Sequence, residues 1–347
     1  MNNFFGTSEA KFKDLLIQWD EKPYRANQVF TGIYHRGIKN FDEISNISKS
    51  LRQKLKENFV LELPEVAQKT ESKDGTIKYL FQLKDGATVE SVWMPSGARK
   101  TLCISTQVGC RLACTFCLTG TLGLKRNMTA AEIVGQYLAV KNDLTVADEE
   151  AVTNIVVMGM GEPLDNYQPV VDALRLMVSP EAMRISTRKI TLSTSGLVDK
   201  IEKLKDENLH VNLAISLNAT DNATRDQIMP INKKYPIEVL LKCLRSFPLK
   251  ATRRITFEYV MLRGINDSLE DAKRLVRLLH GIPSKINLIP FNPFPSAEYQ
   301  APADETVQEF QDYLIKKQYS AFVRKDRGAD ILGACGQLAA KSPIFSS

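Results

Sequence analysis

The chain has 347 residues, 44% of them hydrophobic and 25% charged, a composition typical of a globular protein with a large core. No apolar run reaches the ~18 residues that a membrane helix needs, and the first twenty residues lack the apolar core of a signal peptide. We therefore expect a cytoplasmic protein that does not contact the membrane, and the net charge of +6 favours a polyanionic partner.

The first 60 residues have the pattern of a helical module. Apolar residues recur at three-to-four spacing from Phe12 to Trp19, and two further helical stretches cover Gln28–Tyr34 and Ser48–Asn58. Because these stretches have apolar faces of their own, we predict a small helical accessory domain over residues 1–72.

Two strand-like runs follow, at Thr76–Leu83 and Thr88–Met94. The residues between them, Lys84-Asp85-Gly86, are typical of a hairpin turn. The pattern predicts that residues 73–98 form a β-hairpin extension between two domains.

From residue 99 to residue 347, strand patterns alternate with helical patterns. The predicted strands are Thr101–Thr106, Asn154–Met158, Lys189–Ser193, Val211–Leu217, Ile255–Met261, Lys285–Pro290 and Ala321–Arg324. The predicted helices include Ala130–Lys141, Tyr167–Met177, Ile237–Phe247, Leu269–Leu279 and Glu305–Lys317. Such alternation indicates parallel strands joined by right-handed crossovers. The predicted fold class is α/β, with a partial (β/α)6 barrel whose chemistry lies at the carboxyl ends of the strands.

Four of the six cysteines lie within fifteen residues, a distribution typical of metal ligands or redox groups. Cys110, Cys114 and Cys117 follow the first predicted barrel strand. Three thiolates can bind one face of a 4Fe–4S cluster and leave one iron open. Zinc is the alternative metal, but structural zinc usually takes paired Cys-x-x-Cys motifs with a fourth ligand, and no histidine lies near the triplet. Buried cysteines without a metal are a third interpretation.

This triplet resembles the signature of the radical S-adenosylmethionine (SAM) superfamily. The resemblance implies a radical-SAM barrel, a 4Fe–4S cluster on the three cysteines and SAM on the open iron. It also implies reductive cleavage of SAM to a 5′-deoxyadenosyl radical, with electrons from a flavodoxin- or ferredoxin-type donor. The cofactors would supply the chemistry, while the protein would position the reactants and exclude water.

Polar residues at four strand ends are candidates to bind the cofactor. Gly161 and Glu162 follow the Asn154–Met158 strand, where glycine permits close approach and a carboxylate could accept from the amino group of methionine. The other candidates are Ser193, Ser216, Leu217, Asn218 and, in the segment Pro290–Pro295, Asn292. Tight turns and helix caps are the alternative interpretation, because Ser and Asn are common in both.

The remaining cysteines differ in their surroundings. Alternation places Cys103 on the polar face of its strand, which we expect to point into the barrel. Cys335 lies between small residues that leave its sulfur accessible. Cys243 lies in an apolar helical run and is interpreted as a core residue, and a buried or incidental thiol is the alternative for all three.

Several motifs together resemble the RlmN family, dual-specificity methyltransferases of carbon 2 of adenine in 23S ribosomal RNA and tRNA. The motifs are Tyr34-His-Arg-Gly, Phe41-Asp-Glu-Ile, Cys103 before the triplet, Gly159-Met-Gly-Glu-Pro163, Met229-Pro-Ile-Asn-Lys-Lys234, Asn287 to Pro295 and Arg324 to Gln337. The resemblance covers nearly the whole chain.

The resemblance implies specific roles. Cys335 would be methylated by one SAM molecule, and a second would generate the radical that abstracts hydrogen from the new S-methyl group. The carbon radical would add to adenine, and Cys103 would release the methylated base by forming a disulfide with Cys335. Glu90 matches the proton acceptor of the family, although an exposed charge on a half-buried strand is its alternative interpretation. We expect a monomer.

Two positions depart from the family pattern: Asn218 replaces an expected His, and Phe291 an expected Trp. The sister Cfr family, which methylates carbon 8 of the same adenine, shares most motifs, and Pro163 after Glu162 favours carbon 2. Basic residues at Lys125-Arg126, Lys233-Lys234, Arg253-Arg254 and Arg324-Lys325 with Arg327 are predicted to surround the barrel mouth and hold RNA phosphates.

Two other classes of protein remain open from the sequence. A radical enzyme of another type, such as a glycyl-radical activase or a cofactor-biosynthesis cyclase, needs the triplet but has no use for both Cys103 and Cys335. A non-catalytic RNA-binding protein with a structural cluster would not cleave SAM.

Overall fold

The computed structural model describes residues 1–144 and 151–340. Residues 341–347 of the predicted barrel domain therefore lie outside the described part. Within those two ranges no helix combines the length and the apolar character needed to cross a membrane.

The amino-terminal region is helical, as its periodicity predicts. Strand β1 (Asn2–Asn3) precedes helices α1 (Glu9–Gln18), α2 (Arg25–Phe30) and α3 (Lys49–Asn58), and β2 (Phe59–Val60) then pairs with β1 in parallel. The side chains of Ser8 and Ser48 accept hydrogen bonds from the first turns of α1 and α3, which fixes where both helices begin. The aromatic ring of Phe4 packs edge-on against four other rings, and this aromatic cluster is continuous with the core of the rest of the chain.

Three antiparallel strands follow: β3 (Glu65–Glu71), β4 (Ile77–Gln82) and β5 (Thr88–Ser96). The predicted hairpin is present as β4 and β5, with Leu80 opposite Glu90. The sequence does not predict β3, because almost all of its residues are exposed and no apolar alternation marks it. As an edge strand, β3 gains its order from pairing with β4 and not from burial.

Parallel strands and helices then alternate to residue 323. In chain order the elements are β6 (Arg99–Cys103), β7 (Gln107–Gly109), α4 (Leu118–Thr121), β8 (Leu124–Asn127), α5 (Ala130–Asp143), β9 (Asn154–Val157), α6 (Tyr167–Val178), β10 (Ile190–Thr194), α7 (Val198–Leu204), β11 (Asn212–Ser216), α8 (Asn222–Ile228), α9 (Ile237–Arg245), β12 (Ile255–Met261), α10 (Leu269–Leu279), β13 (Ser284–Pro290), α11 (Asp304–Lys316) and β14 (Ser320–Val323). Strands β7 and β8 form a separate hairpin. The predicted α/β class is confirmed, with β14 as a seventh parallel strand beside the six of the barrel.

The sheet order is β14-β13-β12-β11-β10-β9-β6-β5-β4-β3, and the sheet curves strongly. Strands β9 and β14 are five places apart, which in a flat sheet would separate them by about 24 Å. Yet a guanidinium nitrogen of Arg324, just after β14, lies 3.8 Å from the sulfur of Met158, just after β9. The carboxyl ends of the parallel strands therefore enclose a common space, which is the open barrel that the sequence predicts.

Candidate active site at the carboxyl ends of the strands

An open cavity lies where the parallel strands end. The cavity is lined by residues of the cysteine loop, of the carboxyl-terminal halves or ends of six strands and of the carboxyl-terminal segment. They include Cys117, Met158, Gly161, Glu162, Ser193, Ser216, Asn218, Glu258, Asn292, Arg324 and Cys335. The structure thus brings together most of the candidate residues, which the sequence places up to 218 positions apart.

The cysteine triplet lies in the loop between β7 and β8. Gly109 precedes it with a φ of +79°, and a Cβ there would come within 1.9 Å of the carbonyl oxygen of Gly123, so only glycine fits. The backbone N–H of Cys110 donates to the same carbonyl at 3.0 Å, and the N–H of Thr115 donates to Ile228 at 3.1 Å. The loop is therefore fixed at both its start and its middle.

The three thiols share one buried space. Burial raises the pKa of Cys110 to about 12 and raises that of Cys114 well above its ordinary value, and in both cases the charge of Cys117 adds to the rise. The described residues include no three His, Cys, Asp or Glu side chains that converge on one point, as a single ion would require. A cubane bonds each thiolate to a different iron, so its ligands surround a larger space. The triplet fits a cluster of this kind, next to a cavity that Cys117 also lines.

Glu162 is held in a fixed orientation by the neighbouring strand. One carboxylate oxygen accepts from the N–H of Ser195 at 2.8 Å, and the other accepts from the N–H of Leu164 at 3.0 Å. Burial raises the pKa of Glu162, while these hydrogen bonds favour the carboxylate. At Gly161, with φ +98°, a Cβ would lie 2.5 Å from the side chain of Gln107. The turn therefore holds the carboxyl group of Glu162 at the wall of the cavity.

The other predicted cofactor residues divide into two groups. The side chains of Ser193 and Ser216 line the cavity. Leu217 does not line the cavity: its side chain is buried in the core, and its carbonyl accepts from Arg225 at 2.9 Å. Asn292 also lines the cavity, and its amide nitrogen donates to the carbonyl of Cys335 at 3.2 Å.

Cys335 is carried into the site by a segment that we call the Cys335 segment (residues 332–340). It shares a second, adjoining cavity with Cys103, Cys117 and Arg324. Burial raises the pKa of Cys103 to about 12; the nearby Cys335 adds to this rise and the Arg324 guanidinium opposes it. The backbone of Met158 also hydrogen-bonds to the Cys103 thiol. The prediction that Cys103 points into the barrel agrees with this placement.

Glu90 is buried, with 4% of its surface exposed, so its interpretation as an exposed charge is wrong. It lies on β5, between the sheet and the Cys335 segment. One carboxylate oxygen is 3.2 Å from the ammonium nitrogen of Lys78, and the other accepts from the N–H groups of Ala339 and Ala340 at 2.9 and 3.1 Å. Cys243 is buried on α9, as predicted.

Sequence reasoning missed two charged residues of the site. Arg225 is fully buried, and its guanidinium donates to the carbonyls of Leu217, Ser195 and Ser216 and to Asn232, so it ties two strand ends together. Glu258 lines the cavity and has one oxygen without a partner among the described residues. A glutamate inside the apolar run Ile255–Met261 is a signal that could have identified the second. Arg225, in a short polar helix, gives no such signal.

The basic pairs do not all surround the mouth. Arg253 and Arg254 precede β12 and therefore lie at the opposite, amino edge of the strands, where they line a separate cavity. Arg126 is engaged by Asp85 and Glu132 at 2.6 and 2.8 Å. Arg324 lines the cavity, and Arg327 lies 3.7 Å from Asp74. Exposed lysines remain on the carboxyl side at Lys125, Lys233, Lys234 and Lys325. Only part of the predicted basic rim is therefore free to meet phosphate.

Comparisons with known proteins agree with this geometry. Residues 2–61 match the ribosomal RNA large subunit methyltransferase N-terminal domain, and residues 104–279 match the radical SAM superfamily. The dual-specificity RNA methyltransferase RlmN of Geobacter sulfurreducens is 49% identical over 336 residues, which cover 97% of this chain and 91% of that protein. The RlmN of Desulfosudis oleivorans is 49% identical over 96% of this chain and 89% of its own length. This chain belongs to the RlmN family.

A solved relative shares the whole fold. The crystal structure of a radical SAM methyltransferase from Sphaerobacter thermophilus superposes with a TM-score of 0.90 at 39% identity, covering 98% of this chain and all of the other. Membership of the RlmN family makes this chain a radical SAM RNA methyltransferase, with a 4Fe–4S cluster and SAM as cofactors. Cys110, Cys114 and Cys117 are the residues that would hold the cluster.

The two departures from the RlmN pattern are accommodated by local structure. Asn218 has a φ of +57°, a left-handed conformation that Asn tolerates well. Its side-chain oxygen accepts from the N–H of Val260 at 2.9 Å, and its carbonyl accepts from Asn266 at 2.7 Å. Phe291 packs edge-on against Phe294 at 6.0 Å between ring centres. Asn218 therefore fixes the end of β11 by hydrogen bonds that require no titratable group.

Proposed function

We propose that this enzyme methylates carbon 2 of an adenosine in 23S ribosomal RNA, at the peptidyl-transferase centre, and of an adenosine in the anticodon loop of tRNA. The names of its relatives support a methyltransferase that acts on RNA with dual specificity, and the match to the ribosomal RNA large subunit methyltransferase N-terminal domain supports a ribosomal RNA substrate. The observation that carries the proposal is the convergence of Cys103, Cys335 and Arg324 on one cavity beside the cluster loop. A radical enzyme that acts on its substrate directly has no need of a second pair of thiols at this place.

The chemistry of the ring explains why a protein thiol would take part. Carbon 2 of adenine is electron-poor and is not a nucleophile, so direct transfer of a methyl cation fails. When bound, the cluster and SAM supply a radical that can abstract hydrogen. Cys335 accepts a methyl group on its sulfur, and removal of one hydrogen from that group leaves a carbon radical that adds to the ring. This sequence uses two SAM molecules per turnover.

Arg324 lines the cavity that both thiols share and favours the reactive form of Cys103. Its guanidinium lowers the pKa of Cys103, against the effect of burial, and the pKa of Arg324 itself is raised mainly by Cys335. A thiolate is the nucleophile in methyl transfer and in disulfide exchange. We infer that this one cation assists the methylation of Cys335 and the later attack of Cys103.

Cys103 would end the turnover. After the carbon radical adds, the ring is joined to Cys335 through the methylene group and carries an unpaired electron. That electron would return to the cluster, which the reductive cleavage of SAM leaves oxidised, and Glu90 would take the proton from carbon 2. The Cys103 thiolate then attacks the sulfur of Cys335. The sulfur–carbon bond breaks, its electron pair passes to the methylene carbon of the product, which gains a proton, and a Cys103–Cys335 disulfide forms. The two thiols share a cavity, as this exchange requires.

Further parts of the proposal concern binding. The accessory domain, residues 1–72, would grip the folded RNA, and SAM would be held by Gly161, Glu162, Ser193, Ser216, Leu217, Asn218 and Asn292. A flavodoxin- or ferredoxin-type protein would supply electrons to a monomeric enzyme in the cytoplasm. Methylation at carbon 8 is the second candidate, because that reaction uses the same thiols.

The mass of the peptide that contains Cys335 tests the proposal. The protein is made without a functional cluster so that Cys335 starts unmethylated, and is then reconstituted anaerobically and incubated with methyl-deuterated SAM. We expect one labelled methyl group on Cys335. An unmodified Cys335, in protein that still cleaves SAM, would move the assignment to another radical reaction. Nuclease digestion of the methylated RNA then distinguishes methylation at carbon 2 from methylation at carbon 8.

A further inference from the structure

The Cys335 segment is held in place by hydrogen bonds to residues that are distant in the sequence. It crosses strands β4 and β5, and its last two described residues donate their N–H groups to one oxygen of Glu90 at 2.9 and 3.1 Å. The hydroxyl of Thr88, two residues before Glu90, donates to the carbonyl of Ala340 at 3.0 Å. The hairpin therefore fixes one end of the segment by three hydrogen bonds.

Lys78 connects both ends of the segment. It lies on β4 with 16% of its side chain exposed, and its ammonium nitrogen is 3.2 Å from the free oxygen of Glu90. The same nitrogen donates to the carbonyl of Leu332 at 3.3 Å. Cys335 lies between these attachment points, three residues after Leu332 and four before Ala339. The ammonium group of Lys78 thus neutralises Glu90 at one end of the segment and binds the backbone carbonyl of Leu332 at the other.

The lysine is needed because Glu90 is buried. A carboxylate taken out of water is costly unless a positive charge and hydrogen bonds compensate it. Lys78 is the only cation within 4 Å of Glu90 among the residues that the structure describes. Without Lys78, Glu90 would keep its two N–H donors but lose its counter-charge.

We propose that Lys78 is a positioning residue that acts through Glu90 and Leu332 to hold the Cys335 segment with its thiol in the cavity. The importance of this role for turnover rests on the proposed function of Cys335 as methyl carrier. The position of the segment does not rest on that proposed function, because it follows from the hydrogen bonds and the ion pair described above. Lys78 contacts neither the thiols nor the cofactor cavity, so its effect on chemistry is indirect.

Hydrogen exchange in the reconstituted holoenzyme tests the placement. In Lys78→Met the amides of Ala339 and Ala340 should exchange about tenfold faster than in wild type, because charge-assisted hydrogen bonds at the anchor are weakened. Lys78→Arg, which keeps the charge and donor capacity, should restore slow exchange. The matched control is Lys69→Met, which removes another ion-paired lysine from the same sheet, on β3, and should leave these amides unchanged.

A second readout links placement to reaction. The rate of Cys335 methylation, without RNA, should fall about tenfold in Lys78→Met and recover in Lys78→Arg, while the iron content and the affinity for SAM stay at wild-type values. Equal exchange in Lys78→Met and wild type, or equal acceleration in Lys69→Met, would overturn the proposal. If wild type itself fails to methylate Cys335, the proposed function falls, and the exchange comparison still decides the role of Lys78. Should Lys78→Met fail to fold, Glu90→Gln is measured in the same way.

Discussion

The two edges of the parallel sheet carry different kinds of polar residue. At the carboxyl edge the charged side chains are buried: Glu162 and Glu258 line the cavity, and Arg225 binds the strand ends beside it. At the amino edge Arg253 and Arg254 are partly or fully exposed, and they hydrogen-bond to the side chains of Asn212, Thr187 and Ser320. A buried charge must be matched by partners, whereas an exposed one is matched by water. The carboxyl edge is thus suited to a defined ligand, whereas the amino edge tolerates amino-acid substitution.

The largest expected effect is on RNA methylation and follows from replacing Cys335, which lines both cavities. Cys335→Ala should abolish methyl transfer to RNA, because no sulfur remains to accept the methyl group, while SAM cleavage to 5′-deoxyadenosine continues. Cys243→Ala, which alters a buried cysteine on the outer helix α9, serves as the control and should retain activity. Both products are measured in the same anaerobic assay. Normal RNA methylation by Cys335→Ala would favour a radical enzyme of another class.

The next largest effect should be on stability, and it should differ between a variant at the carboxyl edge and a variant at the amino edge. Arg225→Met removes donors from three buried carbonyls and one side chain, and should destabilise the fold by about 3 kcal/mol, or roughly 4 °C in melting temperature. Arg253→Met, at the amino edge, should cost less than about 1 kcal/mol, since water replaces its partners. Melting curves of the two variants give the comparison directly. Equal losses would show that burial does not distinguish the edges.

RNA binding should distinguish the basic pairs. Replacement of Lys233 and Lys234 by alanine should weaken binding to tRNA and lower the salt dependence, d log K/d log[salt], by about 1 to 2 units. The same change at Arg253 and Arg254 should leave both quantities unchanged, because that pair faces away from the cavity. Affinities at four salt concentrations measure the slopes. A larger loss from the arginine pair would place the RNA at the amino edge.

The smallest effect concerns the buried thiol of Cys103. With its pKa raised to about 12 by burial, the thiolate fraction should grow about tenfold per pH unit between about pH 7 and pH 9.5. The rate of alkylation of Cys103 by iodoacetamide should follow this slope without a plateau, whereas a free thiol begins to level off near pH 8.5. Mass spectrometry of the Cys103 peptide gives the rate. A plateau below about pH 9 would mean that Arg324 outweighs burial.

Local patterns predicted the order of elements but not every contact. The strands from β9 to β13 could be found because apolar runs bounded by turn residues mark them, and the cysteine spacing marks the loop after β6. Strand β3 could not, because an exposed edge strand leaves no apolar alternation. Lys78 and Arg225 act through residues far away in the chain, and no local pattern records such a contact. The position of Arg253 relative to the barrel mouth depends on the direction of β12. The presence of a basic pair in the sequence does not indicate that direction.

The hydrogen bonds of Glu90 to Ala339 and Ala340 span 249 and 250 positions of the chain. Most pairings within the parallel sheet join strands that are consecutive or nearly so. Closing a long loop costs more chain entropy than closing a short one. The docking of the Cys335 segment on the hairpin is therefore entropically more costly than the pairing of neighbouring strands in the sheet, and its hydrogen bonds to Glu90 must offset that cost.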